Sequence, residues 1–313
     1  MPTRRRIRLV AATAALVAVV ACSSGAGTTD RAVGRPGARD RTARVPVPVQ
    51  RLDIVATEYH FHITPDPADG LRSGWTEVRF HNDGGEAHQV MFARLKDGVD
   101  LGALAAAGAG DSSGAAAIEF VDMIGGVSYI GPRQDVTAMV DLPAGTVMAM
   151  CYVPDPDGTA HALLGMSTIL TVKDPAGAAT PADTAPRNRR VRGTITLGPD
   201  GYEIPRRLPA GWYHVENTDV GPPGTGLHEL ALMRLGHPLT PAATARLLDD
   251  IATNTTPKVE LEALGGLGAV SPGFDGYLYL DLPRGHYLAV DFMPDARDPR
   301  PHLLDGYTAA FSR

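Results

Sequence analysis

Cysteine is nearly absent from this sequence: 313 residues contain two, Cys22 and Cys151. That excludes a disulfide scaffold and a Cys-rich zinc or iron–sulfur module. Lysine is almost missing too, occurring only at 96, 173 and 258, so positive charge is carried by Arg. With 29 basic and 35 acidic residues the net charge is −6, which argues against a general nucleic-acid binder. No Gly-x-Ser-x-Gly elbow occurs, and Gly125-Gly126 and Gly265-Gly266 lack the strand–helix setting of a phosphate loop. What is plentiful is Gly (35) and Pro (26), which favour many turns over long helices. A hydrophobic fraction of 44% excludes wholesale disorder, and the length suits about two domains.

The N-terminus carries an export signature. Arg4, Arg5, Arg6 and Arg8 precede an apolar run from Leu9 to Ala21, too short to span a bilayer comfortably. The run ends Val19-Val20-Ala21-Cys22 and resembles a bacterial lipobox, in which Cys22 becomes the lipid-bearing first residue. Export by the general or the twin-arginine route remains open, since Thr3-Arg4-Arg5-Arg6-Ile7 weakly resembles the latter's signal. Removing residues 1–21 takes away four Arg and leaves a charge of −10. An acidic body gains nothing from an anionic leaflet, so the lipid would have to hold it at the outer face of the cell membrane. Residues 22–49, with Val-Pro-Val-Pro at 45–48, read as a disordered tether ending in a stiff piece.

The remainder is one module written twice. Asp141-Leu-Pro-Ala-Gly145 returns as Asp281-Leu-Pro-Arg-Gly285, an offset of 140. The same offset carries His88 onto His228, Arg94-Leu95 onto Arg234-Leu235, Gly125-Gly126 onto Gly265-Gly266 and Pro154-Asp155 onto Pro294-Asp295. Gly74-Trp75 matches Gly211-Trp212 at 137, which places three inserted residues before His228. The copies are read as residues 50–173 and 191–313, joined by a linker at 174–190 rich in Pro, Ala and Thr.

Within each copy the segments read as short strands. Trp75–Phe80 and Trp212–Glu216 alternate at period two, and Gln89–Leu95, Val136–Leu142, Val147–Val153 and Ser167–Val172 follow as strands. One short helix is predicted in each copy, Leu101–Ala107 and Ala242–Ile251, the second started by Thr240-Pro241. The expectation is all-β: two tandem Greek-key sandwiches, each with a short helical insert.

The chemistry gathers in the first copy. Asn82-Asp-Gly-Gly-Glu-Ala-His88 is followed by a late strand bearing Cys151, then His161, then Met166. This order resembles the cupredoxins, the plastocyanin and azurin family of type 1 copper proteins. The resemblance covers about Arg51–Lys173 and, more weakly, Val191–Arg313. It implies one copper ion held by His88, Cys151, His161 and an axial Met166. A thiolate suits Cu(I) and imidazole suits Cu(II), so a trigonal His₂Cys site with a weak Met serves both states. Nine residues, 152–160, separate Cys151 from His161, more than in familiar members. The turn formers Pro154, Pro156 and Gly158 either fold that excursion back onto the rim or carry His161 away.

In the second copy His228 and His302 remain, but Asp291 stands at the Cys position and Tyr307 at the Met position. A carboxylate cannot give the copper–thiolate site. The expectation is a structural or interaction domain with a degenerate site; a residual metal site of His228, Asp291 and His302 is the alternative. His60-Phe-His62 imitates the His-x-His pairs of multicopper oxidases, yet Cys151 is flanked by Met150 and Tyr152 and no second pair occurs. The chain is therefore expected not to be an enzyme. Met148 and Met150 read as core, and Trp75 and Trp212 as packing anchors. The functional expectation is electron transfer to a redox partner protein, or copper holding in the envelope, without nucleic acid. The rival is an interaction module that has kept the fold and lost the metal.

Overall fold

The computed structural model describes residues 44–108, 115–174, 190–253, 255 and 257–313. The export signal, Cys22, residues 22–43 of the tether and most of the 174–190 linker lie outside the described residues. Among those described, no helix is long and apolar enough to cross a membrane.

The first copy contributes β1 Gln50–Thr57, β2 His60–Thr64, β3 Leu71–Arg72, β4 Gly74–Asn82, β5 His88–Leu95, β6 Val121–Ile130, β7 Asp135–Leu142, β8 Gly145–Met150 and β9 Ser167–Lys173. The second contributes β10 Val191–Gly198, β11 Gly201–Glu203, β12 Gly211–Asn217, β13 His228–Leu235, β14 Leu261–Val270, β15 Asp275–Leu280, β16 His286–Val290 and β17 Thr308–Ser312. Among the described residues each copy has one α-helix after its His-bearing strand, α1 Leu101–Gly108 and α2 Pro241–Ala252. Thr240 caps α2 by accepting the Ala243 N–H, with Pro241 in the first turn; in α1 the Asp100 carboxylate accepts the Ala103 N–H.

The strands form two layers shared by both copies. One sheet runs β11-β10-β12-β15-β7-β4-β1-β2, the other β17-β16-β13-β14-β6-β5-β8-β9-β3. Each copy is thus a sandwich of two half-sheets, and the sandwiches join edge to edge through β6–β14 and β7–β15. The register of this seam is self-complementary. Ile124 faces Val270, Val127 faces Leu267 and Ile130 faces Leu264. Under the repeat offset of 140, Ile124 and Ile130 exchange places while Val127 maps onto its own partner. In the other sheet Ala138 faces Leu278, again its own repeat equivalent. A pseudo-two-fold axis therefore passes through both pairs, as in an isologous dimer made from one chain.

The period-two pattern predicted for β4 is incomplete, because Thr76, Glu77 and Val78 are all buried. Beside the seam the outer face of that sheet is covered by an apolar cluster of Val45, Met139, Trp212 and Tyr277, against which Trp75 packs. The outer face of the other sheet is covered likewise: Leu104 of α1 packs over Met91, Met123, Met148 and Met150. Both tryptophans and both strand methionines are packing residues. The three residues inferred before His228 are a net figure. β12 is two residues shorter than β4 (7 against 9), and the loop that follows is five longer.

The Gly-Gly pairs explain themselves here. They sit where β6 and β14 bulge against β5 and β13. A Cβ on Gly126 (φ +130°) would lie 2.1 Å from the Val90 carbonyl oxygen, and one on Gly266 1.7 Å from that of Leu230. Backbone cannot yield as a side-chain tip can, so no other residue fits. Gly145 shares the positive φ (+117°) but meets nothing within 4 Å. Gly126→Ala is therefore expected to destabilise the chain by more than Gly145→Ala, with the strained φ alone costing about 1–3 kcal/mol. Urea unfolding midpoints measure the difference, and equal losses would remove the close-approach argument.

Candidate metal centre

β8 ends at Met150 and not, as the sequence suggests, at Val153. Beyond it the chain leaves the sheet. Cys151 N–H donates to Met166 O (3.1 Å), while Cys151 O accepts from Ala162 N–H (2.8 Å) and Val153 O from His161 N–H (2.8 Å). Residues 152–160 are thus the tip of a hairpin. Pro154 bridges Ala160, and the Asp155 carboxylate accepts from Asp157 and Thr159 N–H, both at 2.9 Å. Gly158 (φ +87°) makes the turn. The long excursion folds back, and His161 begins a tight helical turn, His161–Leu164, beside the cysteine.

His88 arrives from the opposite side, at the first residue of β5. Asn82 fixes its loop: Nδ2 donates to Glu86 O (2.8 Å) and Ile130 O (3.1 Å), and Oδ1 accepts from Gly84 N–H (2.9 Å). Asn217 makes the same three bonds in the second copy, to Gly226 O, Val270 O and Asp219 N–H.

His88, Cys151 and His161 are each fully buried, and one ligand atom from each lies within 4.8 Å of the other two. His161 Nδ1 is 3.1 Å from His88 Nδ1 and 3.6 Å from Cys151 Sγ. Met166 is also fully buried, its N–H donating to His161 O (2.9 Å). Three of the four residues anticipated from the sequence converge through side-chain atoms, and backbone bonds to Cys151 and His161 bring Met166 alongside.

The electrostatics leave the donors uncharged. Burial holds His88 down at about 4 against the partial pull of Glu58. Burial, with a smaller push from His88, does the same to His161. Burial pushes the Cys151 thiol up to about 12, although backbone N–H groups of Gln89 and Val153 point at the sulfur and favour its thiolate. A cation would reverse that balance. His161 Nε2 lies 3.2 Å from Glu86 Oε2, so it carries the proton and turns a lone pair at Nδ1 toward His88 and the sulfur. His88 Nε2 has no hydrogen-bond partner; the Glu58 carboxylate at 3.8 Å is an electrostatic neighbour only. Two imidazole nitrogens and a sulfur, satisfied by little but one another, fit a soft-to-borderline metal.

The outer carboxylates were not anticipated. Glu86 stands two residues before His88, so its place near the rim was within reach of the motif. Glu58 had no local signal. It comes from the β1–β2 turn and accepts the Gly85 and Glu86 N–H groups, which lower its pKa despite burial. Tyr59, in the same turn, packs its ring edge on His161 (4.7 Å between centroids).

The second copy assembles the equivalent residues. His228 Nδ1 lies 2.7 Å and His302 Nδ1 3.0 Å from Asp291 Oδ2. Burial works against charge at both Asp291 and His302. Hydrogen bonding outweighs it, keeping Asp291 below its usual range and lifting His302 to about 9. Tyr307 stacks on the His228 ring at 4.2 Å. His60 and His62 lie on one exposed face of β2, rings 4.6 Å apart, and belong to neither cluster.

No family model matches the chain, and no curated protein is similar to it. Among solved structures it is similar to auracyanin A, a blue copper protein of Chloroflexus aurantiacus, at 24% identity over 39% of this chain and 98% of that one (TM-score 0.28). It is also similar to a multicopper oxidase, at 14% over 84% and 88% (0.22), and to the copper-containing nitrite reductase of Thermus scotoductus, at 11% over 84% and 61% (0.23). The last two are enzymes. The expectation that this chain is not an enzyme is therefore corrected: its structural neighbours include copper enzymes, and lack of catalysis is not assigned to it. The fold assignment rests on sheet order and register, together with the paired Asn82 and Asn217 loops and the His-bearing strands beyond them. The two copies are cupredoxin-like β-sandwiches in tandem, sharing one pair of sheets.

Proposed function

We propose that the first copy binds one copper ion in a type 1-like centre and serves electron transfer to a redox partner protein, or copper holding, outside the cytoplasm. The convergence of His88 Nδ1, His161 Nδ1 and Cys151 Sγ, with Met166 buried beside them, carries this reading. Copper, when bound, supplies a one-electron couple. The protein's part is to hold its donors still. Asn82 fixes the His88 loop, the 151–162 hairpin fixes Cys151 and His161, and Glu86 holds the His161 tautomer. A site already shaped for both oxidation states needs little rearrangement when an electron arrives. Leu163 and Leu164, each 40% exposed and two and three residues after His161, offer an apolar surface to a partner.

The export signature supports an envelope location, with Cys22 lipidated and residues 22–49 as tether. Cys22→Ser is expected to move the protein from the membrane fraction to the soluble one; retention in the membrane would refute the anchor.

Adding Cu(II) to the full chain is expected to give an intense thiolate charge-transfer band. Cys151→Ser should abolish the band while costing about 1–3 kcal/mol of stability, the penalty of a buried, poorly partnered hydroxyl. His88→Ala should loosen the metal, and Met166→Leu should retain it and shift the potential. A colourless wild type, or a band that survives Cys151→Ser, would refute the centre. Without metal, pH has a definite sign. The histidines' folded values, about 4, lie below the ordinary 6.5. As pH falls through that window the unfolded chain takes up protons that the native pocket refuses, so stability falls. His161→Gln should flatten the fall in urea midpoint across the window; an unchanged slope would contradict the buried neutral pair.

A further inference from the structure

We propose that the second copy is a metal centre in its own right: His228, Asp291 and His302 bind a borderline divalent cation of the Zn²⁺ and Co²⁺ class at the floor of an open pocket. The inference does not rest on the copper reading of the first copy.

The geometry of the protons leads there. Both imidazoles turn Nδ1 toward the same carboxylate oxygen, Asp291 Oδ2, at 2.7 and 3.0 Å. Their outer nitrogens are also taken. His228 Nε2 lies 3.2 Å from Asp219 Oδ2, and His302 Nε2 lies 3.2 Å from Asp295 Oδ1. A carboxylate only accepts, so each Nε2 must carry a hydrogen. The neutral rings then present Nδ1 lone pairs to a carboxylate, three acceptors converging on one point. Only positive charge reconciles them: protons on the rings, or one cation shared by all three.

Three further features favour the cation. A histidine–metal bond is commonly backed by a carboxylate on the far ring nitrogen, which fixes tautomer and ring orientation. Asp219 and Asp295 are such partners for both rings, and they come from different loops. Asp291 is aimed as well, since its other oxygen accepts Met293 N–H at 2.9 Å and Glu229 N–H at 3.4 Å, leaving Oδ2 for the histidines. The Glu229 contact repeats the Gln89 N–H contact on Cys151 Sγ (3.5 Å), so Asp291 occupies the thiol's place in the same frame. The third feature is access. A pocket of about 420 Å³ is lined by His228, His302, Asp219, Asp295 and Tyr307, leaving room for water or a small exogenous ligand. Two imidazoles and a carboxylate are a borderline-to-hard set, which disfavours Cu(I) and suits Zn²⁺ and Co²⁺.

The test uses the full chain with its first centre silenced by His88→Ala and Cys151→Ser. Titration with Co²⁺, followed by its visible d–d absorption and by bound-metal analysis after gel filtration, should still give one equivalent. Asp219→Asn and Asp295→Asn should each weaken binding about 10–100-fold. Asp291→Asn should abolish it; His302→Gln, at a less deeply buried ligand, is the second variant should the buried substitution disturb folding, judged by circular dichroism. Zn²⁺ should displace Co²⁺ with loss of the band. No bound Co²⁺ in the silenced chain, or binding indifferent to both Asp291→Asn and His302→Gln, would overturn the proposal and leave the cluster as a protonated ion-pair network.

Discussion

The pairing of β6 with β14 and of β7 with β15 is the constraint on which the rest of the structure depends. It turns two modest sandwiches into one double layer and buries four strand edges that each copy alone would expose to water. It also favours glycine at the join, because a Cβ on Gly268 of β14 would lie 3.2 Å from the Gly126 backbone of β6. And it sets the two centres at opposite ends. His88 pairs with Ile130, which faces Leu264, while His228 pairs with Val270, which faces Ile124. Tyr129 of β6 reaches across, its ring 4.6 Å from Phe292, the residue after Asp291.

Within that frame the copies solve one electrostatic problem in opposite ways. A buried position facing two histidines must not hold an unbalanced charge. In the first copy the position is Cys151, whose thiol stays neutral, and the histidines beside it stay neutral too. In the second it is Asp291, whose charge is met by hydrogen bonds from both rings and by the raised proton affinity of His302. Where a thiol gives way to a carboxylate, with Asp295 beside it, the partner histidine's proton affinity is raised instead of lowered.

Much of this was legible in the sequence. The repeat offset pointed to both copies, and the order His88, Cys151, His161, Met166 picked out residues that the fold brings close together. Asn82 stood in the motif, although its three hydrogen bonds did not. What escaped reading depends on contacts far apart in the chain. Glu58 reaches the His88 loop from another turn, and Asp219 lies in a loop whose five extra residues were hidden by a shortened strand. The seam escaped for a related reason. Ile124, Val127 and Ile130 belong to no strand anticipated from the sequence, and nothing local says that β6 pairs with its own repeat, β14. The return of His161 could be argued from Pro154, Pro156 and Gly158 but not decided, because it turns on the Asp155 carboxylate capping the hairpin.

The central claim is that a thiolate and two imidazoles of the first copy hold copper. X-ray absorption at the copper edge, on the full chain loaded with one equivalent, tests it most directly. The account predicts one short copper–sulfur distance with two nitrogen scatterers, and loss of the sulfur shell in Cys151→Ser. A first shell of nitrogen and oxygen alone in the wild type would contradict it.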